Sequence, residues 1–302
     1  MSVIRAMAIV VGYDGGDDLI RCIRAIVATS YRPLELVVVD NGATDIGRLR
    51  LIDTADVPVR FVRPGRNLGF AGGVNAGIAT LSTAAPDDIY VLVNQDCFIE
   101  RGSIGALVGA LIRDPRIAVV GARLLAPDGL TVEHAGGMIR PNGLTEHLGR
   151  GCPNSGLFSR PSDVEYVTGA LCAFRHATWL ELGPFEAAYH PVYFEEVDFC
   201  VRARRAGLRV VYEPAATAVH AEATASGGAG SRRFLRHYHR NRMRFLVRHR
   251  LRRGTFARTI AAELYWLAGL RRLREIAPVL RAYCGLPADL VWSRRTATRR
   301  AG

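Results

Sequence analysis

The chain has 302 residues, 49% of them hydrophobic, which suits one large α/β domain with an appendage, or two domains. All 40 of its Lys and Arg residues are arginine, so a P-loop, a pyridoxal Schiff base and any other lysine-dependent chemistry are excluded. The six cysteines show no CxxC spacing, which excludes a zinc finger and favours free thiols in a reducing compartment. The N-terminus has no long apolar run, so we expect a globular, cytoplasmic protein.

Residues 1–122 alternate short apolar runs with helical patterns, as in a parallel sheet with crossover helices. Five runs are predicted to be strands: AMAIVV, LELVVVD, VRFVR, IYVLVN and IAVVGARLL. Leu19, Ile23 and Ile26 fall on one face of a helix predicted between the first two strands. Residues 127–162 are rich in glycine and proline and show no regular pattern, and two further strands, VTGALCAF and LRVVY, are expected after them.

In such sheets, ligands bind beyond the carboxyl ends of the strands. Asp40 follows the second predicted strand, where a dinucleotide-binding domain has its ribose-binding acid. The glycines after the first strand, Gly12, Gly15 and Gly16, do not form the G-x-G-x-x-G pattern, so a dinucleotide site is disfavoured. An ordinary turn is the alternative interpretation of the segment that begins at Asp40.

The segment RNLGFAGGVNAGI, residues 66–78, has four glycines within a helical pattern. Each costs roughly 1 kcal/mol relative to alanine, so something must approach this helix closely. One explanation is a phosphate or sugar at the helix N-terminus, with Arg66 as the partner of the anion. The other is close packing of the helix on a strand.

The segment VNQD follows the fourth predicted strand. Its spacing places Asn94 and Asp96 on the same side of an extended backbone. Carboxylate and amide oxygens so placed suit Mg²⁺ or Mn²⁺. A turn is the alternative interpretation.

The segment YFEEVDFCVR, residues 193–202, places three acids among large apolar side chains, which is costly unless something pairs with them. On a helix, Glu195 and Asp198 share one stripe with Arg202, whereas Glu196 projects alone. Asp198 is therefore predicted to form an i,i+4 ion pair with Arg202. Glu196 has no such partner.

Together with VDNGATD (39–45), VTGA (167–170) and a later histidine at 220, these segments resemble in their order the inverting family 2 glycosyltransferases of the GT-A fold. The bacterial branch of rhamnosyl- and galactofuranosyltransferases in cell-wall and polysaccharide assembly is especially similar. The resemblance covers about residues 5–230. It implies a GT-A domain over 1–230, with a nucleotide-sugar half of about 1–122 and an acceptor half of about 123–230, and a helical region over 231–302.

The resemblance implies that Asp96 and His220 bind a divalent cation, Mn²⁺ or Mg²⁺, with a structural role as the alternative for His220. Asn94 replaces the first acid of the D-x-D metal motif, as is usual in this branch, and Gln95 replaces a proline. The residues expected to contact the nucleotide-sugar are Val11, Gly12, Tyr13, Asp40, Arg66, Asn67, Gly72, Asn75, Asn94, Gln95, Thr168 and Gly169.

The resemblance also implies that Glu196, at the second acid of the family's E-D pair, is the general base. Glu195 and Asp198 are the further catalytic candidates. An acceptor hydroxyl would attack the anomeric carbon while the nucleoside diphosphate, UDP or dTDP, leaves from the opposite face. The acceptor is expected to be a lipid-linked glycan or a small molecule, and the loop 223–231 is predicted to close over the donor.

Residues 231–302 carry 19 arginines against three acids and mix them with aromatic and aliphatic residues in amphipathic patterns. The favoured partner is an anionic lipid surface, with peripheral contact at the inner face of the plasma membrane. Nucleic acid is less favoured, and a helical appendage packed on the catalytic domain is the third interpretation. The alternative function is a noncatalytic GT-A-like binding module acting through this surface, and the oligomeric state is left open, with a homodimer as one option.

Overall fold

The computed structural model describes most of the chain. The described residues are 4–42, 46–49, 52–54, 56–221, 230–249, 256–269 and 273–285. The loop 223–231, predicted to close over the donor, lies outside them except for its last two positions.

In the described part of the chain, ten strands form one central sheet and two form a separate hairpin. The strands are β1 (Ala6–Gly12), β2 (Leu34–Asp40), β3 (Val59–Val62), β4 (Ile89–Asn94), β5 (Cys97–Ile99), β6 (Ile117–Leu125), β7 (Val132–His134), β8 (Gly137–Ile139), β9 (Thr145–His147), β10 (Ser162–Asp163), β11 (Leu171–Arg175) and β12 (Arg209–His220). The helices are α1 (Gly16–Val27), α2 (Ile46–Leu49), α3 (Gly69–Ala79), α4 (Ser103–Arg113), α5 (His176–Leu182), α6 (Glu195–Arg205), α7 (Arg232–His249), α8 (Phe256–Ala268) and α9 (Leu273–Cys284).

The central sheet has the order β10-β12-β6-β11-β4-β1-β2-β3, with β5 paired to β12 and β7 to β6. All five strands predicted before residue 126 are present, as β1 to β4 and β6. Neighbouring pairs among β1, β2, β3 and β4 are parallel, whereas β11 runs antiparallel between β4 and β6. The predicted α/β fold, a mainly parallel sheet flanked by helices, is confirmed.

The strand register brings three strand ends together. In the parallel pairs of β1, Gly12 lies opposite Asp40 of β2, and Val11 lies opposite Asn94 of β4. The carboxyl ends of these strands therefore meet at one edge of the sheet, which is where α/β proteins bind ligands.

Helix α3 packs closely on this sheet through its glycines. A Cβ atom at Gly73 would lie 2.7 Å from Cγ1 of Val11, and one at Gly77 would lie 3.1 Å from Cγ2 of Ile9. Such distances leave no room for a side chain, so close helix-on-strand packing accounts for these two glycines. Gly69 instead begins the helix with φ +71°, a left-handed conformation that favours glycine.

The segment 127–162, whose sequence shows no regular pattern, contains β7, β8 and β9. Each of these strands has three residues, which is too short to give a readable alternation of apolar and polar side chains.

Helix α7 packs against α6 through a buried ion-pair cluster centred on Asp198. The side chain of Asp198 is fully buried, and its Oδ2 lies 2.8 Å from Nε of Arg202, which confirms the predicted i,i+4 pair. From α7, Nε of Arg248 and Nε2 of His249 lie 2.9 and 2.7 Å from Oδ1. Burial alone would raise the pKa of Asp198, but His249 and the two arginines more than offset this and hold it well below its usual range.

A second buried cluster attaches α8 to α7. Both terminal nitrogens of the Arg242 guanidinium contact the Glu263 carboxylate, at 2.7 and 2.8 Å. The side-chain amide of Asn142, in the β8–β9 turn, donates to the same carboxylate at 2.9 Å. The C-terminal helices α7 and α8 are therefore joined by paired charges to the part of the chain that carries the sheet.

Asp198→Asn removes the charge that balances Arg202 and Arg248. Breaking one side of a buried ion pair costs about 3–5 kcal/mol, so we expect a loss of that size in the free energy of unfolding, measured by urea denaturation at pH 7. Because the pKa of Asp198 is lowered in the folded state, its contribution is full above the ordinary carboxyl pKa and declines as the pH falls below it. The difference between wild type and variant should therefore shrink in acid.

The matched control is Asp18→Asn, which removes an exposed partner of Arg21 and should change the free energy of unfolding by less than about 1 kcal/mol. If Asp198→Asn abolished enzymatic activity while leaving the unfolding curve unchanged, the structural role would be wrong and the catalytic role predicted for Asp198 would gain support.

Candidate active site

A cavity of about 380 Å³ lies at the edge of the sheet where β1 and β4 end. The ends of these strands, the β8–β9 hairpin, the start of α6 and the first turns of α7 line it. The predicted site residues in its lining are Val11, Tyr13, Asn67, Asn94, Gln95, Asp96, Thr168, Gly169, Glu195, Glu196 and His220. The predicted residues outside its lining are Gly12, Asp40, Arg66, Gly72, Asn75 and Asp198.

Some of the residues outside the cavity have well-defined partners elsewhere. Asp40 forms an ion pair with Arg63, with Oδ2 and Nε 3.5 Å apart. The side-chain amide of Asn75 exchanges two hydrogen bonds with the backbone of Phe185, of 2.8 and 3.0 Å, and so ties α3 to the segment before α6. Arg66 is exposed to solvent.

Gln95 fixes the turn that follows β1. Its side-chain oxygen accepts a hydrogen bond from the backbone N–H of Tyr13 at 2.7 Å, and its side-chain nitrogen donates to the Tyr13 carbonyl at 2.8 Å. A Cβ atom at Gly15 would lie 2.5 Å from the same side-chain oxygen. Gln95 thus holds Tyr13 beside the cavity. Because the side-chain amide of Gln95 approaches the backbone of residue 15 so closely, that position requires glycine.

Asn41 plays a similar part beside β2 and was not among the predicted contacts. Its buried side chain donates to Oδ1 of Asn67 at 3.1 Å and accepts from the backbone N–H of Leu68 at 2.7 Å. Asn67 in turn accepts from the backbone N–H of Gly69. These bonds hold the start of α3 against the cavity, which Asn41 itself lines.

The two glutamates at the start of α6 follow a strained turn. Tyr193 and Phe194 have φ values of +82° and +79°, a left-handed conformation that costs a residue other than glycine about 1–3 kcal/mol and that occurs often at functional sites. The side-chain amide of Asn241 in α7 stabilises this turn by donating to the carbonyls of Val192 and Tyr193, at 2.9 and 3.2 Å. Helix α7 therefore holds the turn that positions Glu195 and Glu196.

The two carboxyl groups differ in their surroundings. Glu195 is 1% exposed, and among the described residues its Oε2 has no hydrogen-bond partner. Burial, and then the charge of Glu196, raise the pKa of Glu195 well above its ordinary value. Burial also raises the pKa of Glu196, to about 7. Near neutral pH, Glu196 is thus the acid that more readily loses and takes up a proton.

Asp96 and His220 meet at another wall of the cavity. Nε2 of the His220 ring lies 3.4 Å from Oδ1 of Asp96, and its Nδ1 lies 2.9 Å from Oε2 of Glu133. Burial alone would lower the pKa of His220, but the two carboxylates outweigh it and raise the pKa to about 10. Surroundings that favour a proton on this ring also favour another cation.

A divalent cation fits this pair in part. Among the residues that the structure describes, no cluster of three or more His, Cys, Asp or Glu side chains has the arrangement of a metal site. Asp96 and His220 nevertheless offer one carboxylate and one ring nitrogen, Nε2, which is buried and lies 3.4 Å from Oδ1 of Asp96 without an aligned hydrogen bond. Two protein ligands suit Mn²⁺ or Mg²⁺ when phosphate oxygens of a substrate supply others.

Helix α7 forms an aromatic and basic wall of the same cavity. Phe234 and Tyr238 stack with ring centroids 5.6 Å apart, and the ring of Tyr193 lies 4.9 Å from that of Phe234. Arg233 and His237 line the cavity beside them. Sequence reasoning had assigned these residues to a separate region, although their i,i+4 spacing is the pattern of a helix that presents one face to a site.

The β8–β9 hairpin and the strands beside it supply further lining that sequence reasoning missed. Thr145 contributes its hydroxyl, which lies 3.0 Å from the hydroxyl of Tyr238, and so connects the hairpin to α7. The other lining residues from this region are His147, Arg150 and Tyr166.

Comparison of sequences relates the chain to known transferases. Residues 5–254 match the family described as glycosyltransferase like family 2. The N-acetylglucosaminyl-diphospho-decaprenol L-rhamnosyltransferase of Mycobacterium tuberculosis is 30% identical over 237 residues, which are 72% of this chain and 76% of that protein. The pre-mycofactocin glycosyltransferase of the same species is 28% identical over 194 residues, which are 64% of this chain and 39% of that protein.

Solved structures of glycosyltransferases share the fold. The mannosyltransferase PcManGT of Pyrobaculum calidifontis, solved with GDP-Man and Mn²⁺, superposes with a TM-score of 0.57 over 98% of this chain and 85% of its own, at 18% identity. TarS 1–349 of S. aureus, solved in complex with UDP-GlcNAc, superposes with a TM-score of 0.58 over 95% of this chain and 82% of its own, at 14% identity. The predicted GT-A fold is thereby confirmed.

The match over most of the chain and the shared fold agree with the acid-lined cavity at the strand ends. The chain belongs to the glycosyltransferase like family 2.

Proposed function

We propose that the protein is an inverting glycosyltransferase that moves a sugar from a nucleoside diphosphate, UDP or dTDP, to an acceptor hydroxyl in cell-wall, polysaccharide or glycoconjugate synthesis. The observation that carries the proposal is that Glu196 lines the same cavity as Asp96 and His220. A base and a group that can bind the leaving diphosphate are both needed for displacement at an anomeric carbon. Family membership and this complete set of groups favour the enzyme over a noncatalytic binding module.

Glu196 is the proposed general base. Its carboxylate accepts the proton of the acceptor hydroxyl as that oxygen forms a bond to the anomeric carbon, while the bond from that carbon to the diphosphate oxygen breaks. A base whose pKa lies near the working pH transfers protons efficiently, and the pKa of Glu196 is raised to about 7. Glu195 is more deeply buried, and its raised pKa favours the neutral form, which adds no second charge beside Glu196.

The donor is proposed to lie against the strand ends. Tyr13, held by Gln95, and Asn67, held by Asn41, face this part of the cavity. Asp40 lies opposite Gly12 at the end of the parallel pair, where we place the nucleotide base. Thr168 lines the cavity with a buried hydroxyl that, among the described residues, has no hydrogen-bond partner, and this hydroxyl suits a sugar.

Asp96 and His220 are the proposed ligands of a divalent cation, Mn²⁺ or Mg²⁺. When bound there, the cation would offset the negative charge that grows on the leaving diphosphate.

The acceptor is proposed to enter along α7. The rings of Tyr193, Phe234 and Tyr238 provide an apolar wall, and Arg233 beside them suits an anionic group. An acceptor with a lipid chain and a diphosphate would match the apolar wall and the arginine. The name of the M. tuberculosis rhamnosyltransferase includes such a compound, N-acetylglucosaminyl-diphospho-decaprenol.

Peripheral contact with anionic lipid is proposed for α8. Phe256, Ile260 and Leu264, spaced four residues apart, are 56%, 40% and 62% exposed and form an apolar stripe on the outer side of the helix. No helix among the described residues is long and apolar enough to cross a bilayer. The stripe lies within a region of 19 arginines and three acids, which is complementary to an anionic membrane surface.

Glu196→Gln should abolish transfer while leaving donor binding nearly intact, because the amide keeps the shape of the carboxyl group but accepts no proton. The activity of the wild type should rise with pH as Glu196 loses its proton, with a midpoint near 7, or lower when a divalent cation is bound. Initial rates and calorimetric donor binding across pH 5.5–8.5, a range of about three units around that value, measure both effects.

Two results would contradict the assignment of the base. One is a loss of donor binding in Glu196→Gln equal to the loss of activity. The other is an activity profile that stays flat through neutral pH in the wild type. Glu186→Gln is the matched control and should keep its activity. The carboxyl group of Glu186 is paired with Arg248 and lies outside the cavity lining.

The double substitution of Phe256 and Leu264 by serine should weaken binding to vesicles of anionic lipid. Each buried apolar side chain contributes about 1.5–3 kcal/mol, so a loss of at least tenfold in the partition coefficient is expected, measured by liposome flotation over a salt series. Leu130 and Leu157, which are 73% and 80% exposed and lie outside α7 to α9, provide the control double substitution. Equal flotation of the two double variants, or binding of an oligonucleotide in place of vesicles, would contradict the lipid contact.

A further inference from the structure

We infer that Glu133 is a positioning residue for His220, and that it holds the histidine ring in the state that can bind a divalent cation beside Asp96. The inference rests on the proposed function, because it concerns the same cation. Glu133 lies in the segment 127–162, whose sequence shows no regular pattern and in which no site residue was predicted.

The contact between the two side chains is close and buried. Oε2 of Glu133 lies 2.9 Å from Nδ1 of His220, and the two residues are each 8% exposed. A carboxylate can only accept a hydrogen bond, so Nδ1 keeps its proton when a cation takes the place of the proton on Nε2. The lone pair of Nε2 then points away from Glu133, and Nε2 is the ring nitrogen that lies 3.4 Å from Asp96.

The backbone of β7 is irregular at Glu133. In the antiparallel pair of β6 and β7, Leu124 lies opposite His134 and Leu125 lies opposite Val132, so the register skips Glu133. Such a bulge bends a strand and re-aims a side chain, and bulges are over-represented beside active sites. Here the bulge allows Glu133 to reach the end of β12, where His220 is the last residue.

The second oxygen of Glu133 connects the same carboxylate to the cavity wall. Oε1 lies 3.9 Å from Nη2 of Arg150, which lines the cavity. A buried carboxylate is costly unless it is paired, and Glu133 is paired with one group on each side. When a metal-binding histidine donates the N–H of its other ring nitrogen to a carboxylate, the carboxylate fixes the orientation of the ring and makes it a stronger ligand.

Mn²⁺ binding, measured by calorimetry and by the electron paramagnetic resonance signal of free Mn²⁺, with and without UDP, tests the inference without using activity. We expect Glu133→Ala to raise the Kd for Mn²⁺ by about ten- to a hundredfold, the usual effect of removing such a partner. Glu133→Gln, which matches the shape of glutamate but lacks its charge, should raise the Kd by about tenfold. Glu146→Ala, in the neighbouring hairpin, removes a carboxylate paired with Arg140 and should leave the Kd unchanged.

A double-mutant cycle separates positioning from a general structural effect. If Glu133 acts through His220, Glu133→Ala should weaken Mn²⁺ binding by less than about threefold in the His220→Ala background. Activity in Glu133→Gln should also recover when Mn²⁺ is raised to saturation, because its loss reflects affinity alone. If Glu133→Ala does not fold, as judged by circular dichroism, Glu133→Gln decides in its place.

Two results would overturn the inference while leaving the cation at Asp96 and His220 intact. One is an unchanged Kd for Mn²⁺ in Glu133→Gln. The other is a double variant, Glu133→Ala with His220→Ala, whose rise in Kd equals the product of the rises in the two single variants. If instead Asp96→Asn and His220→Ala bind Mn²⁺ as tightly as the wild type does, the proposed cation ligands are wrong and the inference is overturned with them.

Discussion

Burial of the acid-rich start of α6 is the constraint on which the site depends. Three carboxyl groups lie within four residues of one helix, and all three are close to apolar side chains. Asp198 is balanced by Arg202 and, from α7, by Arg248 and the ring of His249. Burial and the charge of Glu196 raise the pKa of Glu195 and so favour its neutral form. Glu195 and Glu196 both line the cavity, and Glu196 is the one whose pKa is raised to about 7. The energetic cost of burying these acids thus distinguishes Glu196, the proposed base, from its two acidic neighbours.

Helix α7 links the stability of the fold to the geometry of the site. Its C-terminal end carries the partners of Asp198, its middle carries Asn241, which holds the strained turn before Glu195, and its first turns line the cavity. A helix whose sequence suggested an appendage therefore lines the candidate active site. Since α8 is attached to α7 through a buried ion pair, α8 is also connected to a wall of the cavity.

The sheet was predictable, because buried parallel strands are long apolar runs. About two thirds of the residues assigned to the site line the cavity, although they make up less than half of its lining. Asp96 was found because functional residues follow strand ends, and Glu196 was found by motif resemblance. Motif resemblance could not show that Gln95 and Asn75 use their side chains to hold neighbouring backbone. Glu133 could not be predicted from the sequence. It contacts His220, which lies 87 positions later in the chain, and it belongs to a strand of only three residues.

The configuration of the transferred sugar is the most direct test of Glu196 as a base acting by a single displacement. Once a panel of nucleoside diphosphate sugars has identified a donor, proton NMR can follow the first anomer released by slow hydrolysis of that donor. A single displacement predicts that the first product has the inverted configuration. Retention of the donor's configuration would mean a covalent or front-face route and would contradict the role of Glu196.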